Sequence, residues 1–327
     1  MSRRRPRSVS SAARPALSGT VAGTRSTSVA RPDRTVKRGS IPLVVIMAIG
    51  LMLAAIGFLA ITAIGRQGAR APASDRTGAY VGSDLHSLVV DPTEPNHVFI
   101  GGHDGAVESV DGGRTFRQMA ALDSIDAMGW AVSADGRTMV VGGHNGLRIS
   151  PDGGATWQDL TPKLPASDVH GLGMDPAAPS HWWAYLAGRG VYQTVNAGQN
   201  WSFLGGANLG IMGPILPVAG GDLLSTDMMS GLIRSKDGGR RWSKAADYMA
   251  MWLAADPKQP KLIWGASNGI AVSADGGSSW RTGPGWPTGA TAVGVASDGR
   301  VYAGVLSGNR ATVYVSQDDG STWQHVG

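Results

Sequence analysis

Cysteine is absent from this 327-residue chain, so histidine and methionine are the soft or borderline ligands it has for a transition metal. Of its 7 histidines and 12 methionines, four of each fall into two periodic sets. The first set is His86, Met128, His170, Met212 and Met251, with Ala292 at the next recurrence. The second is His103, His144, Gly188, Met229, Ser267 and Arg310, and its first two members share the wording Gly-Gly-His-Asp/Asn-Gly. Imidazole suits several transition metals, and a thioether beside it narrows the choice toward copper, above all Cu(I). The candidate metal ligands are therefore His86, His103, His144, His170, Met128, Met212, Met229 and Met251, with Met228 assisting. Two other readings of the same residues stay open. Methionine fills irregular narrow spaces, and a repeated histidine can satisfy the backbone of a neighbouring unit. A catalytic or ligand-contacting role is the second.

These sets acquire a common place only through the elements that carry them. One phrase recurs six times, reading Ser-x-Asp-x-Gly-x-Thr-aromatic in its frame. Its copies are Ser109 to Phe116, Ser150 to Trp157, Thr194 to Trp201, Ser235 to Trp242, Ser273 to Trp280 and Ser316 to Trp323. Their starts lie 41, 44, 41, 38 and 43 residues apart. A period near forty is the length of one four-stranded propeller blade, so six copies predict an all-β, six-bladed propeller. The 48 glycines, 11 tryptophans and only 16% charged residues fit many short strands joined by tight turns. In blade one, Ser87–Val90 reads as the inner strand, His97–Ile100 as the second, Ala106–Val110 as the third and Thr115–Gln118 as the outer. The last blade ends on its own outer strand, so no strand need be exchanged between the termini.

Inner strands of a propeller line its central channel. The first set sits at their starts, and the second falls in the loop between second and third strands. Strand direction alternates, so both sets open on one mouth while the repeated phrase turns at the opposite rim.

The phrase resembles the Asp-box of the bacterial neuraminidase repeat, with the copy at Thr194 degenerate because Asn196 replaces the aspartate. The resemblance implies that the box is the turn between third and outer strands. A short carboxylate there accepts N–H groups of its own turn, glycine allows the left-handed backbone, and the aromatic packs between blades. These positions are structural. Sialidases, other glycosidases, sortilin-type receptors and photosystem assembly factors share the box, so it identifies a fold more than a function. Residues 84–327 also resemble a bacterial group of membrane-tethered Asp-box proteins described as sialidase-like or glycosyl-hydrolase-like. Sialidase chemistry needs three arginines around the substrate carboxylate, a tyrosine nucleophile with a glutamate and an acid/base aspartate. The early Phe/Tyr-Arg-Ile-Pro signature is missing, and Arg148 and Arg234 fall on third strands, away from the channel. Classical sialidase activity is disfavoured.

Ahead of the repeat lie three further segments. Residues 1–40 carry ten of the Lys and Arg side chains against Asp33 alone, with almost no large apolar residue, and read as a disordered basic cytoplasmic tail. Residues 41–65 hold no charge and are rich in Ile, Leu, Met and Ala, long enough for one transmembrane helix. Residues 66–83 read as a tether, with cleavage near Ala71 as the lesser alternative. The tail's charge keeps the N-terminus cytoplasmic, which places the propeller in an extracellular or periplasmic space on a single-pass anchor in membrane lipid. The remainder of the chain holds nineteen basic and twenty-three acidic residues, so the net charge of +5 belongs to the tail and the domain is no nucleic-acid binder.

Two aromatic features have ordinary readings. Trp182 and Trp183 form a cluster of the kind sugar sites use, but Trp183 and Tyr185 alternate as on a half-buried strand, which favours the core over a sugar platform. Trp286, in the loop Gly283-Pro284-Gly285-Trp286-Pro287, is either a connector residue or one presented to a partner. The expected function is a non-catalytic, membrane-anchored binding scaffold with copper at its His/Met mouth. The alternatives are a sialidase-like glycoside hydrolase acting on a glycan, and a protein-assembly or receptor module with a membrane-protein partner.

Overall fold

The computed structural model describes residues 78–326, and the proposed tail and anchor lie outside them. Among the described residues no helix is long and apolar enough to cross a membrane. Six antiparallel sheets follow one another along the chain, each a meander in sequence order. In blade one the strands are Leu85–Val90, Val98–Gly102, Gly105–Ser109 and Arg117–Gln118. Blade two has Gly129–Val132, Met139–Gly143, Gly146–Ser150 and Gln158–Asp159, and blade three has Val169–Asp175, Ala178–Leu186, Gly190–Thr194 and Ser202–Gly205. The six-bladed all-β reading therefore stands, and its strands agree with the repeat.

Blades five and six depart from the simple scheme. Blade five has three strands, and where an outer one would run there are only isolated bridges, Val272 with Arg281 and Gly269 with Thr288. The chain beyond Arg281 carries Pro284 and Pro287, which have no N–H to give a ladder. Blade six gains an N-terminal piece, because Ala79–Tyr80 pairs with Arg310 and Ala311 beside the C-terminal strand Gln324–Val326. The folded unit thus begins before residue 84, and both ends of the domain meet on one edge. Around the ring, Thr291 Oγ1 donates to Leu85 O (3.0 Å) and the Tyr302 hydroxyl to Pro95 O (2.9 Å), joining the last blade to the first.

Second strands such as Val98–Gly102 and Met139–Gly143 are buried along their whole length, since each is covered by a blade on either side. Outer strands are short and solvated. Trp182, Trp183 and Tyr185 are all buried, which bears out their core reading. Trp286 packs at 5.6 Å from Trp264 and 6.4 Å from Trp323, so it closes the seam between blades five and six.

The repeated phrase builds a closed turn. Ser109 Oγ donates to Asp111 Oδ1 (2.8 Å) and accepts the Gly113 N–H (2.8 Å), while Asp111 accepts the N–H and hydroxyl of Thr115 (2.9 and 2.6 Å). Gly112 and Gly113 supply φ of +73° and +90°, which a side chain would resist. Trp157, Trp201, Trp242 and Trp280 each donate an indole N–H to a glycine carbonyl of their own box. With so many donors, these carboxyls sit below the ordinary carboxylate range. In Asp275 the Ser279 hydroxyl is the main cause, and in Asp152 the Thr156 hydroxyl. The degenerate Asn196 keeps the Asn200 N–H (3.0 Å) on its single oxygen and has no charge to titrate.

Candidate metal centre

Inner strands run from the mouth toward the boxes, and the ladder Val90–Val98–Ser109 fixes which end is which. Toward the boxes the channel is apolar, with a cavity of ≈ 190 Å³ lined by Val90, Val132, Met174 and Pro217 among others. Toward the other end the strands begin with polar residues. There the pairing register corrects the sequence count in two blades. Four residues before the strand partner of each second strand stand His86, Met128, His170, Gly213, Met251 and Thr291. Gly213 and Thr291 thus take the places given to Met212 and Ala292. His86 and His170 both sit in register shifts of their strands, where an extra residue re-aims the side chain.

Four histidines do meet at this mouth, and carboxylates join them. His86 Nε2 lies 2.9 Å from Asp126 Oδ1, His103 Nδ1 3.4 Å from Asp126 Oδ2, and His144 Nδ1 2.6 Å from the same Oδ2. Asp168 Oδ1 lies 2.9 Å from His170 Nε2 and 3.9 Å from His144 Nε2. The rings of His144 and His170 meet edge-on at 5.0 Å. Two groups of three residues follow, His86 with His103 and Asp126, and His144 with Asp168 and His170. Within each, one donor atom per residue lies within 4.8 Å of the others.

Sequence reasoning missed Asp126 and Asp168. A signal existed, since an aspartate stands two residues before the ring position in blades one to three, as Asp84, Asp126 and Asp168. Asp84 is exposed and accepts the Leu85 N–H, so the pattern alone did not say which of the three turns inward. Asp126 turns inward because of the connector that carries it. A short 3-10 turn at Ala120–Leu122 and a positive φ of 67° at Ser124 lead the chain across the mouth into blade two. The Ala127 N–H then donates to Gly102 O (3.1 Å), and Ser87 Oγ donates to Ala127 O (2.9 Å). The repeated Gly-Gly-His wording is what makes room. A Cβ on Gly143 would lie 1.5 Å from Asp126 O, and one on Gly101 2.7 Å from both Ala127 Cβ and Ala127 O. Glycine at these points lets the connector press against the second strands, so that one carboxylate reaches histidines of two blades.

The floor of the site is dry and its rim is wet. Asp126 is 4% exposed and His86 11%, whereas His103, His144 and Asp168 are about half exposed. Burial opposes ionisation of Asp126, but the His86 contact and the imidazoles of His144 and His103 outweigh it and hold the carboxyl below its usual range. Burial pushes His170 down despite Asp168 beside it, which favours the neutral imidazole that binds metal. The 2.9 Å approaches lack hydrogen-bond alignment. His86 Nε2, both oxygens of Asp126, Asp168 Oδ1 and His170 Nε2 are buried without a hydrogen-bond partner. Five buried polar atoms that face one another as ion pairs rather than as aligned hydrogen bonds, gathered in one place, form a donor arrangement that suits an ion.

The methionines take other positions. Met128 is buried in the wall, its N–H bonded to Asp126 O (2.8 Å). Met212 is half-buried, Met251 is exposed, and Met229 is 90% exposed, with Met228 exposed beside it. Arg310 of the second set donates to Gly78 O (2.9 Å) and lies over Tyr80, clasping the N-terminal strand. The two third-strand arginines are engaged away from the channel, Arg148 with Asp159 (2.6 Å) and Arg234 with Asp222 (2.9 Å).

No family model matches this sequence, and no curated protein does. Solved structures share the propeller. A putative gluconolactonase aligns at a TM-score of 0.54 with 15% identity, covering 78% of this chain and 95% of its own. The GH74 xyloglucanase from Xanthomonas campestris aligns at 0.50 with 15% identity, over 76% of this chain but only 46% of the enzyme. YCF48 from Cyanidioschyzon merolae aligns at 0.47 with 19% identity, covering 77% and 87%. At such identities the likeness is one of fold, that of a β-propeller.

Proposed function

We propose that the propeller is a metal-binding scaffold whose mouth takes a first-row divalent cation through His86, His103, Asp126, His144, Asp168 and His170. The convergence within each group of buried nitrogen and oxygen atoms, paired with one another in contacts that lack hydrogen-bond alignment, carries this reading. Two imidazoles with one carboxylate form a borderline donor set, suited to Zn²⁺, Fe²⁺, Ni²⁺ or Cu²⁺. That differs from the thioether-rich set that would select Cu(I). Copper stays in the proposal as Cu²⁺, which such a site binds most tightly in the Irving–Williams order. The half-exposed rim leaves coordination positions to water or a bound ligand. With residues 41–65 as anchor, the mouth would work outside the cytoplasm as a storage, delivery or sensing site.

Glycoside hydrolysis is less well supported by the same geometry. A catalytic acid needs a raised pKa, whereas the imidazoles around Asp126 keep that carboxylate ionised. The test is metal content of the purified full-length protein after exposure to Zn²⁺, Cu²⁺ or Cu(I) and removal of the excess. We expect tight retention of the divalent ions, abolished by H86A together with H170A. Retention unchanged in that double variant would refute the site.

A further inference from the structure

Resting on that reading, we infer that the mouth holds two cations side by side, and that Asp126 couples them through the His144 ring. Ligands about 2.1 Å from one tetrahedral ion stand about 3.4 Å from each other. The separations around Asp126, 2.9 Å from Oδ1 to His86 and 3.4 Å from Oδ2 to His103, lie just below and at that edge. Those from Asp168 Oδ1, 2.9 Å to His170 and 3.9 Å to His144, lie on either side of it. Each triad is thus complete for one ion with positions left open, and no residue has to serve in both.

His144 lies between the triads with a different nitrogen toward each. Its Nδ1 faces Asp126 Oδ2 at 2.6 Å, and its Nε2 faces Asp168 Oδ1. A carboxylate on the far nitrogen of a metal-binding imidazole fixes its tautomer and ring orientation and raises its basicity. Asp126 therefore ligates the first cation and orients a ligand of the second. Losing such an orienting partner weakens a metal site by about 10–100-fold. The chain provides this link from a single buried side chain, on the connector between blades one and two.

The experiment is zinc stoichiometry and affinity on the full-length protein, with Zn²⁺ as the probe. The wild type should bind two equivalents. H86A and H103A should each keep one, and H170A should keep the other. D126N should lose the first equivalent and bind the second about 10–100-fold more weakly than H86A does. One equivalent in the wild type, with no variant needed, overturns the two-ion inference while leaving the scaffold reading intact; no zinc at all overturns both. Two equivalents, with D126N matching H86A at the second, overturns the coupling through His144. Equal melting temperatures of the apo forms of D126N and H86A make the comparison one of binding alone.

Discussion

The two halves of the mouth are built from one repeat and differ in what they present. Blades one to three bring four imidazoles and two carboxylates together around a buried floor. Blades four to six offer Gly213, Met251 and Thr291 at the matching inner-strand position, with Met229, Ser267 and Arg310 at the loop position. Thr291 ties blade six to blade one, and Arg310 clasps the N-terminal strand, so part of the second half serves ring closure. Symmetry of the backbone therefore does not carry over to the chemistry. A donor cluster needs neighbouring blades that each contribute an inward residue, together with a connector that can approach them, and only the first half has both.

The seat of that connector offers the sharpest way to break the comparison. In G143A the added Cβ meets Asp126 O at 1.5 Å, so the connector must lift. Zinc affinity should fall by more than ~100-fold, as for a lost ligand, and apo stability by about 1–3 kcal/mol, as for other overpacked sites. The matching control is G188A, in the blade-three turn, where φ is +65° but the space around the glycine is open. It should cost stability through backbone strain alone and leave zinc binding unchanged. Competition titrations and chemical denaturation on both variants decide this, and normal zinc binding by G143A would show that the glycine seat does not position Asp126.

A second contrast sets the mouth against the opposite rim. Ser109 is buried and satisfies the Gly113 N–H, so S109A leaves that donor unpaired. A loss of about 1–3 kcal/mol is expected by denaturation, with zinc affinity at the wild-type value because the box lies at the far end of the channel. Loss of zinc in this variant would mean that the rims are not independent.

Acid should act on the boxes in the same direction, blade by blade. Hydrogen bonds hold Asp152, Asp275 and Asp318 below the unfolded carboxylate value of about 3.9. Their contribution is complete above that value and is lost as pH falls toward the depressed folded values. Blade three, with Asn196, is exempt. N196D should become relatively more stable above pH 4 than below it, measured by melting temperature against pH in the apo protein. A pH-independent difference from wild type would show that this carboxylate gains nothing from its turn.

The smallest effects belong to the methionines of the second half. M229A and M251A should change stability by less than about 0.5 kcal/mol, as exposed substitutions do, and leave Zn²⁺ and Cu²⁺ binding untouched. A selective loss of Cu(I) binding in either variant would return the thioethers to the site and erase the distinction between the halves.

Several features were legible in the chain because they depend on local contacts repeated at a fixed period. The Asp-box is a turn whose donors and acceptors lie within a few residues of one another, so its six copies determined blade number, strand order and the rim on which each turn lies. Through that ruler the sequence also brought His86, His103, His144 and His170 to one mouth. The tertiary structure decided what joins them. Asp126 and Asp168 hold the same place as Asp84, two residues before the ring position, yet Asp84 turns to its own backbone instead. Their direction depends on how closely a connector can approach the next blade, set at Asp126 by a glycine on a strand seventeen residues further along the chain. The methionines matched the period equally well, yet Met128 went into the wall and Met229 into solvent. Periodicity specifies where a backbone position falls, whereas contacts across blade boundaries determine which side chain reaches the channel and what it meets there.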